Sequence, residues 1–209
     1  MLSFPRDSYV PIPGHGTSKI NAAMAFGGPS LLVATFERLT GIPIDYYALT
    51  SFDGLTDIVN RVGGVKVNVD MNIRDHFAGA FLNKGRQKLS GRQALAYSRA
   101  RKTLPGGDLS RSRHQGQVLL GGLATYQAQV TKDPARVMAW LAVMGDELKS
   151  DLPFPELLRL ALLATKIPPS RIANQVVPSV AGSAGGASVV RLLPGAYSLF
   201  ARVRAGRLG

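Results

Sequence analysis

The segment from Phe52 to Val69 constrains the fold more than any other part of the chain. Its first part, FDGLTDIVNRV, carries apolar residues at helical spacing, and the pair Gly63–Gly64 ends that pattern. The five residues that follow, Val65–Val69, alternate apolar and polar side chains, as in a strand with one buried face. A helix that leads directly into such a strand indicates a mixed α/β fold.

Helical patterns recur before and after this segment. Each combines apolar residues at helical spacing with a start or stop signal, such as a capping side chain, a first-turn proline or a glycine. The predicted helices are Lys19–Phe26, stopped by Gly27–Gly28; a second helix from Pro29 to Gly41; a helix that begins at Ser90 (LSGRQALAYSRAR); a helix that Asp108 can cap; Pro153–Ile167; and Leu193–Arg204.

Strand-like and loop-like segments lie between these helices. Leu2–Phe4 and Ala173–Val177 are predicted as short strands, whereas 11–17 and 182–187 are predicted as loops because glycine, proline and small residues dominate them. Strands that alternate with helices favour a three-layer α/β/α sandwich with a central mixed β-sheet. The length of 209 residues suits one such domain.

The positive charge of the chain is concentrated in one segment. The chain has 25 Lys+Arg against 13 Asp+Glu, and nine of the basic residues lie between Lys84 and Arg113, where Asp108 is the one acid. A focused excess of this kind indicates an anionic partner, which is a nucleic acid, a membrane surface or a phosphorylated substrate. The absence of cysteine excludes thiolate nucleophiles and zinc–thiolate sites, and the three histidines lack the spacing of metal ligands.

Two arginines lie two positions apart in the run Tyr97-Ser98-Arg99-Ala100-Arg101. In an extended segment the side chains of Arg99 and Arg101 point the same way, whereas in a helix they diverge. Two aligned guanidinium groups bind pyrophosphate through paired hydrogen bonds, which lysine provides less well. The pair is therefore a candidate pyrophosphate site if this segment is extended.

A second candidate group consists of Asp108, Arg111 and Gln115. On a helix, Arg111 and Gln115 share one face a turn apart, and Asp108 precedes them near the helix N-terminus, where anions bind. A solvated basic helix explains the same spacing equally well. His114 lies within this segment and is expected to face solvent.

A third candidate pair, Arg6 and Asp7, follows the first strand. Strand ends are where α/β sheets place their ligands. The Arg6 guanidinium can bind a phosphate through two hydrogen bonds, and Asp7 can orient Arg6 or help to hold a metal ion. The alternative is an exposed ion pair at a turn, which is common in proteins.

The apolar helical stretches 116–128 and 154–165 have two interpretations. They are either plain core or the walls of a groove for a long isoprenoid chain, since ligand pockets are mostly apolar with a few polar groups. Several arginines at one site suit phosphoryl transfer, in which charge stabilisation carries most of the catalysis. The chain has no GxxxxGK[ST] motif, which argues against a nucleotide triphosphatase.

Four segments follow one another along the chain: SFPRDSYVPIPGHGTSKINAAMAFGGPSL, DYYALTSFDGLTDIVNRVGGVKVNV, LSGRQALAYSRAR and GDLSRSRHQ. In this order and at this spacing, they resemble the LytR–CpsA–Psr family of cell-envelope glycopolymer phosphotransferases. Looser similarity continues through PSRIANQVVPSVAG and the last helix, so that the resemblance covers nearly the whole chain.

The resemblance implies a function and a set of partners. It implies a phosphotransferase that moves a glycopolymer from polyprenyl pyrophosphate to peptidoglycan, with Mg²⁺ as cofactor and an apolar pocket for the polyprenyl tail. The implied partners are the lipid-linked glycopolymer, peptidoglycan and the membrane surface, and not nucleic acid. Carried over residue by residue, the implied catalytic residues are Arg6, Arg99, Arg101 and Arg111, and the implied substrate-binding residues are Asp7, Asp108 and Gln115.

The resemblance also predicts that the domain is truncated at its N-terminus. Family members begin with a cytoplasmic tail, a membrane helix and strands that carry the main magnesium ligands, and Met1 falls at a mid-strand position. Residues 1–209 are therefore expected to form a single domain of this type that lacks its first strands and its membrane anchor, with metal ligands unknown. The full-length form is expected at the extracytoplasmic face of the cell membrane, and the chain as given is expected to be soluble because no apolar run spans a membrane.

Two neighbouring functions stay open on the same residues. The chain can bind the polyprenyl-phosphate-linked polymer without transferring it, or it can hydrolyse polyprenyl pyrophosphates with water as the acceptor. Binding of nucleic acid is disfavoured because the basic segment has only Tyr97 for base stacking.

Overall fold

The computed structural model describes residues 1–168 and 171–207. The chain divides into two compact units. The first unit is Ala48–Gln175 together with Met1, and the second unit is Leu2–Tyr47 together with Val176–Gly209.

Helices and strands are interspersed along the chain, which confirms the mixed α/β class expected from the sequence. In chain order the elements are β1 (Leu2–Ser3), β2 (Tyr9–Ile12), β3 (Gly16–Lys19), α1 (Ala22–Thr40), β4 (Ala48–Leu49), α2 (Phe52–Arg61), β5 (Val65–Val69), β6 (Ile73–Asp75), β7 (Ala80–Leu82), β8 (Gly85–Leu89), α3 (Gly91–Arg99), α4 (Asp108–Lys132), α5 (Arg136–Glu147), β9 (Lys149–Ser150), α6 (Phe154–Ala164), β10 (Gln175–Val176), β11 (Ser179–Ala184), β12 (Ala187–Leu192) and α7 (Pro194–Arg204).

The first unit contains the helix and strand that the sequence predicts most clearly. The Ser51 side chain caps α2 by accepting a hydrogen bond from the Gly54 backbone N–H at 2.9 Å. Strand β5 alternates buried and exposed residues and pairs antiparallel with β8, so that Val65 faces Leu89 and Val69 faces Gly85. The buried valines of β5 join the main apolar cluster of this unit.

Helix α3 lies directly against α2. Ser90 caps it through a reciprocal pair of hydrogen bonds with Gln93, as its sequence predicts. A Cβ atom on Gly91, the first residue of α3, would lie 2.2 Å from the carbonyl oxygen of Thr56 in α2. Only glycine permits this approach, which fixes the position of α3 and of the arginine at its C-terminal end.

The cap of helix α4 lies one residue earlier than the sequence predicts. Gly107 is the N-cap and Asp108 is the first helical residue, so the prediction that Asp108 caps the helix is wrong. The physical reason is that the Asp108 carboxylate pairs with arginine side chains instead of with the helix N–H groups. Helix α4 packs on β5 at Gly121, where a Cβ would lie 2.5 Å from the Lys66 carbonyl oxygen.

The second unit contains a helix with a break and two hairpins. Helix α1 has non-helical backbone at Gly27 and Gly28, which confirms the predicted stop and restart. The prediction of a loop over 11–17 is wrong, because β2 and β3 form an antiparallel hairpin in which Val10 and Ile12 are buried on either side of exposed Pro11.

The prediction of a loop over 182–187 is also wrong. Strands β11 and β12 pair antiparallel along their whole length, and only Gly185 and Gly186, both with positive φ, form the turn between them. Small residues in β11 hide the strand pattern, whereas β12 carries the β-branched residues Val189 and Val190, which are both buried on opposite faces of the strand. Helix α7 closes the chain at the predicted position.

Candidate functional site

Three of the predicted site residues meet at the start of α4. The Asp108 carboxylate oxygen Oδ1 lies 2.9 Å from Arg101 Nη1 and 3.3 Å from Arg111 Nη2. The Asp108 and Arg111 side chains are 15% and 11% exposed, whereas the Arg101 side chain is 43% exposed. One carboxylate thus holds two guanidinium groups together at a helix N-terminus, which is itself a favourable place for an anion.

The two arginines of the Tyr97–Arg101 run occupy different surroundings. Arg99 is the last residue of α3, and Ala100 leaves the helix with φ −59° and ψ 126°. The segment is therefore neither wholly extended nor wholly helical. The Arg99 guanidinium carbon lies 5.0 Å from the centre of the Phe52 ring, at the first residue of α2, in a cation–π contact.

Gln115 ties α4 to the end of α3. Its side-chain Nε2 donates a hydrogen bond to the Ser98 carbonyl oxygen at 3.2 Å. Arg111 and Gln115 lie one turn apart on the same helix, as predicted. The structure thus brings the α3 and α4 residues of the predicted site into one region of the first unit.

A buried aromatic pair lies behind these residues. The rings of Tyr97 and His114 stack with centroids 4.2 Å apart, and both residues are fully buried. The expectation that His114 faces solvent is therefore wrong. Burial lowers the pKa of His114, although Asp70, whose Oδ1 lies 3.5 Å from His114 Nε2, opposes that shift.

The other predicted pair, Arg6 and Asp7, lies in the second unit. The Asn21 amide lies against Arg6, and we assign its oxygen to the side that faces the guanidinium, 3.2 Å from Nε and 3.1 Å from Nη2, because that orientation satisfies both groups. Asp7 pairs with Lys19, whose Nζ lies 3.1 Å from Oδ2. Local partners thus hold both side chains, and neither partner was predicted from the residue pattern.

An apolar cavity of about 480 Å³ lies within the first unit. Its walls come from α2, α4, α5 and α6, so the helical stretches 116–128 and 154–165 line a groove and also contribute to the core. The polar groups of its two largest aromatic residues have partners: Tyr126 Oη donates to the Ala161 carbonyl oxygen at 2.7 Å, and Trp140 Nε1 donates to Gln129 Oε1 at 3.0 Å. The cavity surface is left almost entirely to hydrocarbon.

The arginines lie beside two of the helices that line the cavity. Arg111 and Gln115 precede the cavity-lining residues Leu119 and Leu123 along α4, at intervals of four. At 1.5 Å per residue, Arg111 lies about 12 Å from Leu119 along the helix axis. A similar order is found along α2. Arg99 packs on Phe52 at the first residue of α2, and the cavity-lining residues of α2 begin one turn later at Leu55.

The acidic side chains of the described residues do not form a magnesium site by themselves. Magnesium takes oxygen ligands, chiefly carboxylates, in an octahedral arrangement. Within residues 1–168 and 171–207, no group of three or more His, Asp or Glu side chains is placed to hold a metal ion. The described side chains therefore provide no complete protein-only site for the ion, and we derive no chemical step through it.

The chain matches the model of the LytR_cpsA_psr family over residues 1–197. It belongs to this family. The curated relative TagU of Enterococcus faecalis (strain ATCC 700802 / V583), a polyisoprenyl-teichoic acid–peptidoglycan teichoic acid transferase, is 36% identical over 163 residues, which is 78% of this chain and 52% of the relative. The chain thus spans about half the length of that relative.

Solved structures of LytR_cpsA_psr relatives share the fold. TagV of Bacillus subtilis matches all of this chain and 82% of its own, with a TM-score of 0.80 and 26% identity. A structure of TagT bound to LI-WTA matches 98% of this chain and 77% of its own, with a TM-score of 0.79 and 28% identity. The family predicted from four sequence segments is confirmed.

Within the described parts of this LytR_cpsA_psr chain, no helix has the length and apolarity needed to cross a membrane. The Phe52 ring beneath Arg99 is a further contact of the site that the residue pattern did not predict. The available signal was an aromatic residue at the first position of an amphipathic helix, and in the structure Phe52 is 60% exposed.

Proposed function

We propose that the chain is a phosphotransferase that moves a glycopolymer from a polyprenyl pyrophosphate carrier to peptidoglycan. The observation that carries this proposal is the order of features along α2 and α4. Each helix has an arginine beside its N-terminal end and lines the apolar cavity with its later turns. A lipid pyrophosphate has the same order, with a charged head followed by an apolar tail.

The arginines of the first unit have distinct parts in this proposal. Arg99 and Arg101 are exposed and bind the pyrophosphate oxygens, whereas Arg111 is more buried and adds positive charge behind them. Asp108 orients Arg101 and Arg111 through its carboxylate. Gln115 fixes the end of α3 to α4 through its bond to the Ser98 carbonyl oxygen.

The proposed reaction is a displacement at phosphorus. The oxygen of a peptidoglycan sugar hydroxyl forms a bond to the phosphorus that carries the glycopolymer, and the bridging P–O bond breaks. Polyprenyl phosphate leaves with the electron pair of that bond, and the proton of the hydroxyl passes to solvent water. The guanidinium groups stabilise the charge that develops on the bridging oxygen, which is how most phosphoryl-transfer enzymes lower the barrier.

Arg6 and Asp7 belong to the proposal through the family resemblance. Their local bonds to Asn21 and Lys19 keep both side chains ordered in the second unit. We propose that Arg6 supplies a further phosphate contact and that Asp7 orients it. The place of action is then the extracytoplasmic face of the cell membrane, where the lipid carrier and peptidoglycan are both accessible.

The relatives indicate the class of glycopolymer. TagU is named for the transfer of teichoic acid from a polyisoprenyl carrier to peptidoglycan, and TagT has been solved with LI-WTA bound. We propose an anionic glycopolymer of the teichoic acid kind as the donor. The high positive charge of the segment from Lys84 to Arg113 supports an anionic donor.

A transfer assay tests the proposal directly. The protein is incubated with radiolabelled polyprenyl-pyrophosphate-linked teichoic acid precursor and with insoluble peptidoglycan, and the label that sediments with peptidoglycan is counted. Transfer is expected with the wild-type chain and not with a variant in which Arg99 and Arg101 are both alanine. Binding of the donor without transfer would make the chain a carrier, and release of soluble labelled product would make it a hydrolase.

The Mg²⁺ requirement stays a prediction that rests on the family resemblance alone. The same assay tests it when EDTA is added and Mg²⁺ is then restored. We expect the sedimented label to fall with EDTA and to recover with Mg²⁺.

A further inference from the structure

Asp75 is a buried acid at the end of β6 in the first unit. The residue is 1% exposed, and it lies at the start of the four-residue turn between β6 and β7. An ionised carboxylate is costly to bury unless hydrogen bonds replace the water that it loses. The partners of Asp75 therefore determine what the residue does.

Four backbone N–H groups donate to this carboxylate. Oδ1 accepts from Phe77 at 3.0 Å and from Ala78 at 3.2 Å, and both donors lie in the turn that follows Asp75. Oδ2 accepts from Arg101 at 2.8 Å and from Lys102 at 3.0 Å, which lie 26 and 27 residues further along the chain. One side chain thus joins the β6–β7 hairpin to the segment that follows α3.

The charge state of Asp75 agrees with these contacts. Burial by itself raises the pKa of the carboxyl group, but the hydrogen bonds from the Arg101, Ala78, Lys102 and Phe77 backbones outweigh it. The pKa of Asp75 is therefore lower than its ordinary value, and the group is a carboxylate at neutral pH.

The two distant donors flank one residue of the candidate phosphate site. Helix α3 ends at Arg99, and the chain leaves helical geometry at Ala100. The N–H of Arg101 and the N–H of Lys102 belong to the peptide groups on either side of the Arg101 Cα atom. Asp75 holds both, and it thereby sets the direction in which the Arg101 side chain leaves the backbone toward Asp108.

We propose that Asp75 is a positioning residue for the phosphate site, which fixes the backbone around Arg101 so that its guanidinium stays where a pyrophosphate head can be bound. This inference rests on the proposed function. It predicts a specific failure when the carboxylate is changed: recognition of the charged head is lost, while recognition of the apolar tail is kept.

The substitution Asp75→Asn tests this separation. An amide keeps one acceptor oxygen but places N–H donors against one of the two pairs of backbone N–H groups, so one pair loses its partner. The probes are farnesyl pyrophosphate and farnesol, which share a tail and differ in the head. Trp140 is the only tryptophan of the chain and lines the apolar cavity, so its fluorescence reports tail binding by both probes.

We expect Asp75→Asn to weaken farnesyl pyrophosphate binding by about tenfold or more and to change farnesol binding by less than about twofold. Asp133→Asn is the matched control, because Asp133 Oδ1 also accepts a backbone hydrogen bond, from Ala135 at 3.1 Å, and lies in the turn between α4 and α5. Both substitutions remove one negative charge. The control is expected to bind both probes as the wild type does.

The outcomes separate this inference from the proposed function. If the wild-type chain binds the two probes equally well, the chain does not recognise pyrophosphate, and the proposed function fails together with the inference. If the wild-type chain prefers farnesyl pyrophosphate and Asp75→Asn keeps that preference, only the role of Asp75 is overturned. If Asp75→Asn binds both probes more weakly to the same extent, the substitution has damaged the fold. A measurement on the wild-type chain then decides whether Asp75 holds the backbone around Arg101.

That measurement is hydrogen exchange of single backbone amides in the wild-type chain. The amides of Arg101 and Lys102 are expected to exchange at least about tenfold more slowly than that of exposed Thr103. Exchange at the rate of Thr103 would show that Asp75 does not hold this segment, and it would overturn the inference without any variant.

Discussion

Substitution of Gly122 by leucine separates the use of the cavity from the stability of the fold. Gly122 lies in α4 and lines the apolar cavity, and a Cβ built on it has no heavy atom within 4 Å. A leucine side chain therefore enters space that a polyprenyl tail would occupy. Its effects on stability and on tail binding are expected to have opposite signs.

The two magnitudes follow from the position of Gly122 in the helix and in the cavity. Glycine in a helix interior is about 0.8 kcal/mol less favourable than leucine, so the variant is expected to be more stable, with Tm higher by about 1.5–3 °C. The leucine excludes about four carbon groups of the tail. At about 0.8 kcal/mol for each buried CH₂, the loss is about 3 kcal/mol, which is more than a hundredfold in Kd.

Trp140 fluorescence with farnesyl pyrophosphate measures the binding, and thermal unfolding measures the stability. Gly145→Leu is the matched control, because Gly145 lies in α5, has no atom within 4 Å of a built Cβ and is not among the cavity-lining residues. The control is expected to gain stability in a similar way and to bind as the wild type does. Unchanged binding in Gly122→Leu would refute the assignment of this cavity to the lipid tail.

Three further predictions concern the phosphate site and its support. Arg99→Ala should weaken farnesyl pyrophosphate binding strongly, which a titration of Trp140 fluorescence measures. It should change the free energy of unfolding in urea by less than about 0.5 kcal/mol, because Arg99 is exposed and packs on the exposed Phe52 ring. The folded-state pKa of Asp75 lies below its ordinary value of 3.8, so its contribution to stability is fully present above about pH 4 and is lost as the pH falls through the lower folded pKa. Asp75→Asn should therefore be less stable than the wild type near neutral pH, and the difference in urea unfolding should shrink progressively as the pH falls below about 4. Gly91→Ala should destabilise the fold by about 2–3 kcal/mol, because its Cβ would lie 2.2 Å from the Thr56 carbonyl oxygen. A Tm equal to that of the wild type in thermal unfolding would contradict the close packing of α2 and α3.

The sequence predicted the elements whose signals are local. The Phe52–Val69 helix and strand, the Ser90 cap and the break at Gly27–Gly28 each depend on side chains within one or two turns, and the structure confirms them. Strand β11 was missed because its own residues are small and its pattern is supplied by the partner strand β12. The local signal for this hairpin was the pair Gly185–Gly186, because two glycines with positive φ form its two-residue turn.

The candidate site divides in the same way. The spacing of Arg111 and Gln115 on α4 was predictable because a helix fixes it. The geometry of Arg99 and Arg101 was not, because α3 ends between them and neither the extended nor the helical alternative describes the segment. The role of Asp75 was invisible as well, since two of its partners lie 26 and 27 residues away and are backbone groups, which leave no trace in residue type.

The carboxylate of Asp108 has a consequence for selectivity. It already accepts a hydrogen bond from Arg101 and forms an ion pair with Arg111, so it acts as an internal competitor for any anion that enters. A ligand with a single carboxylate offers these guanidinium groups no more than they have, whereas a pyrophosphate presents several charged oxygens at once. The site thus sets a threshold of charge density, below which an anion gains little by binding.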